Sequence, residues 1–218
     1  MKWFYNMKIR TKLLAGFMLV AALVGIVGYV GITNIKALDA SSTKLYEHVT
    51  LPTSDSGNMG IEVGKINSYI RDMIIADDPA IIAATGDKIA ASRDKITQLS
   101  ETFEQNILDD EMQQLYQQFI DSRQVYATEL EAVMALARQN QDDEALARIA
   151  TTGVVGIASQ AEQDALEKIH DMTVEEGKEL SEANDNQTND VVTTMTALMV
   201  IGVLLALSLG FFLSLVIS

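Results

Sequence analysis

Residues 13–32 read LLAGFMLVAALVGIVGYVGI, an apolar run without a single charge. As a helix rising 1.5 Å per residue, this run spans roughly 30 Å, the hydrocarbon thickness of a bilayer. A second uncharged stretch fills residues 191–218, and its strongly apolar part begins near Ala197. Both stretches exceed the ~18 apolar residues that a membrane-spanning helix needs. The sequence therefore predicts two transmembrane helices, at 13–32 and 191–218.

A cleaved signal peptide is the main alternative for the first run. Signal peptides have a shorter apolar core of about 7–15 residues, followed by a small-x-small cleavage site. The run at 13–32 is longer than that core, and no convincing cleavage site follows it. We therefore expect an uncleaved membrane anchor.

The basic residues at the N-terminus predict the orientation in the membrane. Residues 1–32 contain no acid, and their basic residues all precede the apolar run. Because Lys and Arg stay on the cytoplasmic side, segment 1–12 is expected in the cytoplasm, with Trp3, Phe4 and Tyr5 near the inner headgroups. Two crossings then leave 33–190 outside the inner membrane, in the periplasm. The basic residues are Lys2, Lys8, Arg10 and Lys12.

The charge of the middle region excludes some functions. The chain has 16 Lys and Arg against 30 Asp and Glu, for a net charge of −14. All 30 acids lie in 33–190 with 12 basic residues, so that region carries −18. Nucleic-acid binding is disfavoured, because a phosphate backbone needs a basic face. The chain has no cysteine, which removes disulfides, thiolate nucleophiles and cysteine metal sites.

The middle region shows helical periodicity and no useful strand-like alternation. The sequence predicts three helix breaks. The first is at Pro79, which follows an acidic cap, and the second lies between Asn106 and Asp109, either of which can cap the next helix. The third is at 139–143. Pro52 is interpreted as a local kink and not as a helix end. We predict an all-α, antiparallel up-down-up-down four-helix bundle whose first and last helices continue into the transmembrane helices. The predicted helices are 33–76, 79–106, 109–139 and 142–190.

Apolar side chains recur along these helices at spacings of three, four and seven, which are those of bundle seams. Residues 175–190 are polar instead, and predict either a poorly packed stalk or a solvated helix face. The predicted core positions are Met59, Val63, Ile66, Ile70 and Met73; Ile82, Ile89, Ile96, Leu99 and Phe103; and Met112, Phe119, Tyr126, Leu130 and Val133.

Four segments resemble methyl-accepting chemotaxis proteins. MKIRTKLLAGFMLV (7–20) is similar to their basic start and Gly-Phe apolar run, and LYEHVTLP (45–52) to the Tyr-Glu…Leu-Pro stretch of their first bundle helix. INSYIRDMIIADDP (66–79) resembles the continuation of that helix, and LARQNQDDEALARI (136–149) the turn between the third and fourth helices.

The resemblance covers essentially the whole chain. It implies a homodimeric receptor that senses small molecules, with cytoplasmic HAMP and signalling modules after Ser218. The same input domain also sits on histidine kinases and cyclic-dinucleotide enzymes, so a histidine-kinase or diguanylate-cyclase sensor stays open. A membrane-tethered helical interaction protein without small-molecule sensing is the alternative from another class.

The first bundle helix carries the leading candidate site. Gly57, Gly60, Gly64, Asn67 and Arg71 form a small and polar stripe that would admit the same helix of a second copy. An arginine from each copy would then bind a carboxylate through its planar fork. In the resembling family, arginines of this helix hold ligand at the dimer interface, and Arg71 is the position that matches. A solvated surface role for Arg71 is the alternative.

Four further residues are weaker candidates. The resemblance implies that Thr151 and Thr152, early in the fourth helix, add hydroxyl and backbone contacts to ligand. Arg123 and Tyr126 offer a second site inside the bundle. Arg123 falls on an apolar stripe, where it makes either a buried polar contact or the edge of a seam, and we favour the edge.

The sequence contains no recognisable catalytic or metal motif. His48 and His170 are far apart and favour surface roles over metal binding. Phosphate-binding Gly-Lys-Ser/Thr loops, His-Glu-x-x-His and nucleophile elbows do not occur. We therefore expect no enzyme activity, no metal and no cofactor.

Overall fold

The computed structural model describes residues 8–217, so Lys2 and the aromatic residues Trp3, Phe4 and Tyr5 lie outside the described residues. The described part of the chain is helical and contains no strand. Its helices are α1 (Ile9–Leu45), α2 (Leu51–Ile74), α3 (Pro79–Glu104), α4 (Asp110–Ala137), α5 (Asp142–Ile149) and α6 (Val154–Ile217), with a π-helical turn at Tyr46–Thr50 between α1 and α2.

The chain divides into two compact units. One comprises Lys44–Glu179 and holds the helical bundle. The other combines the residues up to Thr43 with those from Leu180 onward, and contains both apolar runs. Two helices are long and apolar enough to cross a membrane, and their most apolar windows are not buried within the protein. In this second unit Ser41 donates a hydrogen bond to the side chain of Asn184.

Two helix starts follow the predicted capping chemistry. Asp78 accepts a hydrogen bond from the backbone N–H of Ala80 at 2.8 Å, with Pro79 in the first turn of α3. Asp109 accepts from the N–H groups of Glu111 and Met112 at the start of α4. Each carboxylate satisfies first-turn donors that have no carbonyl partner within their helix. The breaks predicted at Pro79 and near Asp109 are thereby confirmed.

Pro52 distorts the first helix without ending it, as predicted. Proline has no N–H to donate to the carbonyl of His48, four residues earlier. The chain responds with the π-helical turn Tyr46–Thr50, in which the hydroxyl of Thr50 donates to the carbonyl of Leu45 at 3.1 Å. Helical structure then resumes directly as α2.

The prediction of one unbroken fourth helix over 142–190 is wrong. The fourth helix begins as the short α5, turns at residues 150–153, and restarts as α6. Ala150 ends α5 with a ψ of 153°. A Cβ added at Gly153 or Gly156 would collide with backbone atoms of residues 147–151, so this close turn requires glycine at both positions.

The core lies between α2, α3, α4 and the fourth helical segment of the bundle, which consists of α5 followed by α6. Helix α2 contacts α3, α4 and α5. Short connections make the neighbouring helices α2, α3 and α4 antiparallel. The predicted core stripes are confirmed: every member is buried except Leu99, which is half-buried against the core. From α6 the core receives Val155, Ala158, Ala165, Leu166 and Ile169.

Candidate functional site

A groove of about 290 Å³ lies between α2 and the beginning of α6. Three of the predicted site residues line it together: Asn67 and Arg71 from α2, and Thr151 from the turn between α5 and α6. The tight glycine-dependent turn brings Thr151 to this position. The remaining lining residues are Ile70, Ile149, Val155, Gly156, Ser159, Gln160 and Gln163.

Arg71 supplies the charge of the groove. Its side chain is exposed, in the last turn of α2. Among the residues that the structure describes, its guanidinium has no hydrogen bond or ion pair, and no Asp or Glu lines the groove beside it. An arginine without an acidic partner at a concave surface can receive an anion without first breaking an ion pair.

A hydrogen-bond network supports the floor of the groove. The hydroxyl of Tyr126 donates to Oδ1 of Asn67 at 2.8 Å, and Nδ2 of Asn67 donates to Oγ of Ser159 at 2.9 Å. Nε2 of Gln163 also donates to Oγ of Ser159, at 3.0 Å. Burial of the phenol raises the pKa of Tyr126 well above its ordinary value, so the hydroxyl keeps its proton at neutral pH.

Two other predicted site residues lie elsewhere. Gly64 and Thr152 are exposed, and neither lines the groove. A Cβ added at Gly57, Gly60 or Gly64 would meet no atom of the described residues within 4 Å. The small-residue stripe of α2 therefore has open space in front of it.

Arg123 is half-buried, with the buried Glu162 on one side and the exposed Thr97 on the other. Its Nη2 donates to the carbonyl of Arg93 and to the hydroxyl of Thr97, both at 2.9 Å. Its Nη1 lies 3.7 Å from Oε1 of Glu162, in an ion pair whose side chains are 18% and 1% exposed.

Glu162 is the main buried residue that the sequence reasoning missed. Neither of its carboxyl oxygens has a hydrogen-bond partner in the described part of the chain. Burial raises the pKa of Glu162 to about 7, although Arg123 opposes this increase. A signal was present in the sequence, because Glu162 continues the α6 stripe of Val155, Ala158, Ala165 and Ile169 at helical spacing.

Ser159, Gln160 and Gln163 were also missed. They line the groove from α6, and nothing in their local sequence marks them as a site. Which face of α6 meets α2 depends on the turn at 150–153, which the predicted continuous helix did not contain.

The two histidines make polar contacts in partly buried positions. Nδ1 of His48 lies 3.3 Å from the carbonyl of Asn106, and Nδ1 of His170 lies 3.2 Å from the hydroxyl of Ser56. Within residues 8–217 no cluster of three His, Cys, Asp or Glu side chains is arranged to hold a metal ion. Both histidines are half-buried, and each makes one polar contact.

The chain matches a model of a known protein family. A family model described as a four helix bundle sensory module for signal transduction matches residues 6–188. No curated protein matches the chain. The match covers the whole unit Lys44–Glu179 and all residues that line the groove.

Proposed function

Because the chain belongs to the family of four-helix-bundle sensory modules for signal transduction, we propose that it is the input region of a transmembrane chemoreceptor that binds a small organic anion. The family is a sensory and not a catalytic one. The proposed ligand site is the groove that contains Asn67, Arg71 and Thr151.

The unpaired guanidinium of Arg71 is the observation that carries this proposal. The region 33–190 has a charge of −18 and repels anions from most of its surface. Capture of an anion therefore needs a local cation that no carboxylate neutralises, and Arg71 provides one beside polar side chains in a concave site. The planar guanidinium suits a carboxylate, because it donates two parallel hydrogen bonds.

Membrane location and assembly form a second part of the proposal. The two apolar helices cross the bacterial inner membrane, with residues 1–12 in the cytoplasm and the bundle in the periplasm. Two copies pair through the stripe of Gly57, Gly60 and Gly64, where no atom of residues 8–217 lies within 4 Å of an added Cβ. The proposed chemotaxis output comes from cytoplasmic signalling modules.

Ligand binding transmits a signal only if the ligand has different affinities for two packing states of the bundle. The groove is suited to this, because α2 and α6 contribute its two sides and a bound anion links them. Helix α6 runs from Val154 to Ile217 without a break, so the groove residues Val155 and Ser159 belong to the same helix as the second apolar run.

The test is calorimetry on the full chain in detergent micelles, with a panel of organic acids. Arg71→Ala should weaken binding by about ten- to a hundred-fold, because a charge-assisted hydrogen bond contributes ~1.5–3 kcal/mol. Arg71→Lys should restore only part of the affinity, because the planar fork is lost. Arg138→Ala is the matched control, since Arg138 is also exposed but does not line the groove. Binding that survives Arg71→Ala unchanged would contradict the proposed site.

A further inference from the structure

Hydrogen bonds behind the groove fix which polar atoms Asn67 and Ser159 offer to a ligand. Tyr126 is 3% exposed and sits in the core behind Asn67. Its protonated hydroxyl donates to Oδ1 of Asn67 at 2.8 Å. This contact orients the amide, because a phenol proton needs an acceptor and only the carbonyl side of the amide provides one.

The acceptor atoms of Asn67 and Ser159 are already occupied. Oδ1 of Asn67 accepts from Tyr126 and, at 3.1 Å, from the hydroxyl of Ser159, which uses both of its lone pairs. Oγ of Ser159 accepts from Asn67 and Gln163. The donors are not exhausted, because the amide nitrogens of Asn67 and Gln163 each have a second N–H with no partner in the described part of the chain.

The charge of the groove also disfavours a ligand that carries an ammonium group. Arg71 is its cation, and the described residues place no carboxylate against it. An ammonium group on a ligand would lie near Arg71 with no anion to offset its loss of water, which is costly. A volume of about 290 Å³ lies at the lower end of ligand pockets, so a short molecule fits.

We infer that Tyr126 sets the hydrogen-bond polarity of the groove, so that the ligand it selects is a short organic acid with acceptor oxygens and no ammonium group. The inference rests on the proposed function and names the ligand class. The carboxylate binds Arg71, and a hydroxyl, carbonyl or second carboxylate oxygen accepts from the free N–H groups of Asn67 and Gln163. Tyr126 is a positioning residue, since it acts through Asn67.

The experiment uses two matched pairs of probes on the full chain in micelles: L-malate with L-aspartate, and L-lactate with L-alanine. The members of each pair differ only in a hydroxyl against an ammonium group. In the wild type the hydroxy acid should bind at least ten-fold more tightly than its amino acid in one or both pairs. Tyr126→Phe should narrow that ratio about five- to ten-fold, because the amide of Asn67 is then free to turn its oxygen into the groove.

Asn67→Asp is the second variant, and it keeps the test valid if Tyr126→Phe unfolds. It replaces the donating amide nitrogen by a carboxylate oxygen of the same shape, so it should abolish binding of the hydroxy acid and favour the amino acid. A merely structural role for either residue would lower both affinities together and leave the ratio unchanged. Thermal melts of each variant report its folding.

The outcomes separate the two proposals. A wild-type chain that binds the amino acid as tightly as the hydroxy acid, or ratios unchanged in both variants, overturns the inference. If Arg71→Ala still weakens binding in that case, the proposed anion site stands. If none of the four probes binds, or if Arg71→Ala has no effect on binding, the proposed function fails and the inference fails with it.

Discussion

Glu162 places a carboxyl group in the bundle interior with Arg123 as a charged partner, but no donor in the described part of the chain makes a hydrogen bond to it. The charged and titratable groups that act on it are Arg123 and Tyr126 from α4 and Arg93 from α3. The net effect of burial and these cations is a pKa of about 7 in the folded protein, against an ordinary value of 4.5. The folded state therefore holds a proton on Glu162 in a pH range in which the unfolded chain has lost it.

Stability should consequently fall as pH rises from about 4.5 to about 7. The raised pKa of Glu162 means that the folded chain binds more protons than the unfolded chain in this window, so the free energy of unfolding decreases with pH. The decrease is on the order of 3 kcal/mol, at ~1.36 kcal/mol per pH unit. Below the window the stabilisation is fully present, and above it the stabilisation is lost.

Urea unfolding of the full chain in a mild detergent, at pH 5 and pH 8, measures this effect. Glu162→Gln should remove most of the difference between the two pH values. Part of the difference should remain, because burial and the neighbouring Asp109 also raise the pKa of Glu176 to about 7. Glu167→Gln, at an exposed position of the same helix, is the control and should preserve the wild-type difference. An unchanged difference in Glu162→Gln would show that this carboxyl does not titrate there.

At the residue scale, the sequence could locate the α2 side of the groove and no more. Arg71 and Asn67 stand out because a polar stripe interrupts an apolar helix, which is a property of one helix alone. The pairing of Asn67 with Ser159 joins residues 92 positions apart, and it depends on how α6 is rotated about its axis. The contact of Arg123 with Glu162 could not be predicted for the same reason, since it joins two helices.

At the scale of elements, local chemistry predicts where helices begin better than where a long helix breaks. Asp78 and Asp109 accept hydrogen bonds from backbone N–H groups two or three residues away, so the local sequence is enough to predict these helix starts. The turn at 150–153 contains two β-branched threonines and a glycine, all of which disfavour helix. Its tight closure also needs Gly156, beyond the turn itself, which the local pattern does not reveal.

Gly156→Ala should therefore disturb the turn and the groove together. The new Cβ would collide with the carbonyl group of Ala150, and backbone cannot move aside as a flexible side chain can. We expect a loss of about 1–3 kcal/mol in the free energy of unfolding, together with weaker ligand binding as Thr151 is displaced. Unfolding measurements and calorimetry on the same samples check both effects.

Gly86→Ala is the matched control for this substitution. Gly86 lies within α3, and a Cβ there would make ordinary van der Waals contacts at 3.7 Å with the side chains of Met134 and Arg138. It should leave ligand binding unchanged and stabilise the protein slightly, because alanine is favoured over glycine in a helix by roughly 0.5–1 kcal/mol. If Gly156→Ala behaves like Gly86→Ala, the turn does not require a glycine at position 156.

At the scale of the whole molecule, the segregation of charge is what the chain reveals most directly. Two uncharged apolar runs enclose a region that holds all 30 acids, and the basic residues of the first 32 positions all precede the first run. The all-α bundle could be predicted because its seams follow from helical periodicity, which the buried core confirms. Pairing between two copies could not be derived in this way, because it depends on a surface that one chain leaves open.

The proposed topology predicts opposite behaviour for reporters placed in the bundle and at the N-terminus. A phosphatase active only after export, inserted at residues 139–141 between α4 and α5, should be active in a Gram-negative host. This turn is exposed and lies outside the helices, and Asn140 has a φ of 53°, so an insertion there spares the core. A fluorescent protein that matures only in the cytoplasm should be dark at that position and bright when fused ahead of Lys8.

The reverse pattern, in a chain shown by immunoblot to be intact and membrane-bound, would invert the topology and place the groove inside the cell. Reversal of the basic residues to Glu at positions 8, 10 and 12 tests the cause, because it should weaken the orientation bias while leaving both apolar runs untouched.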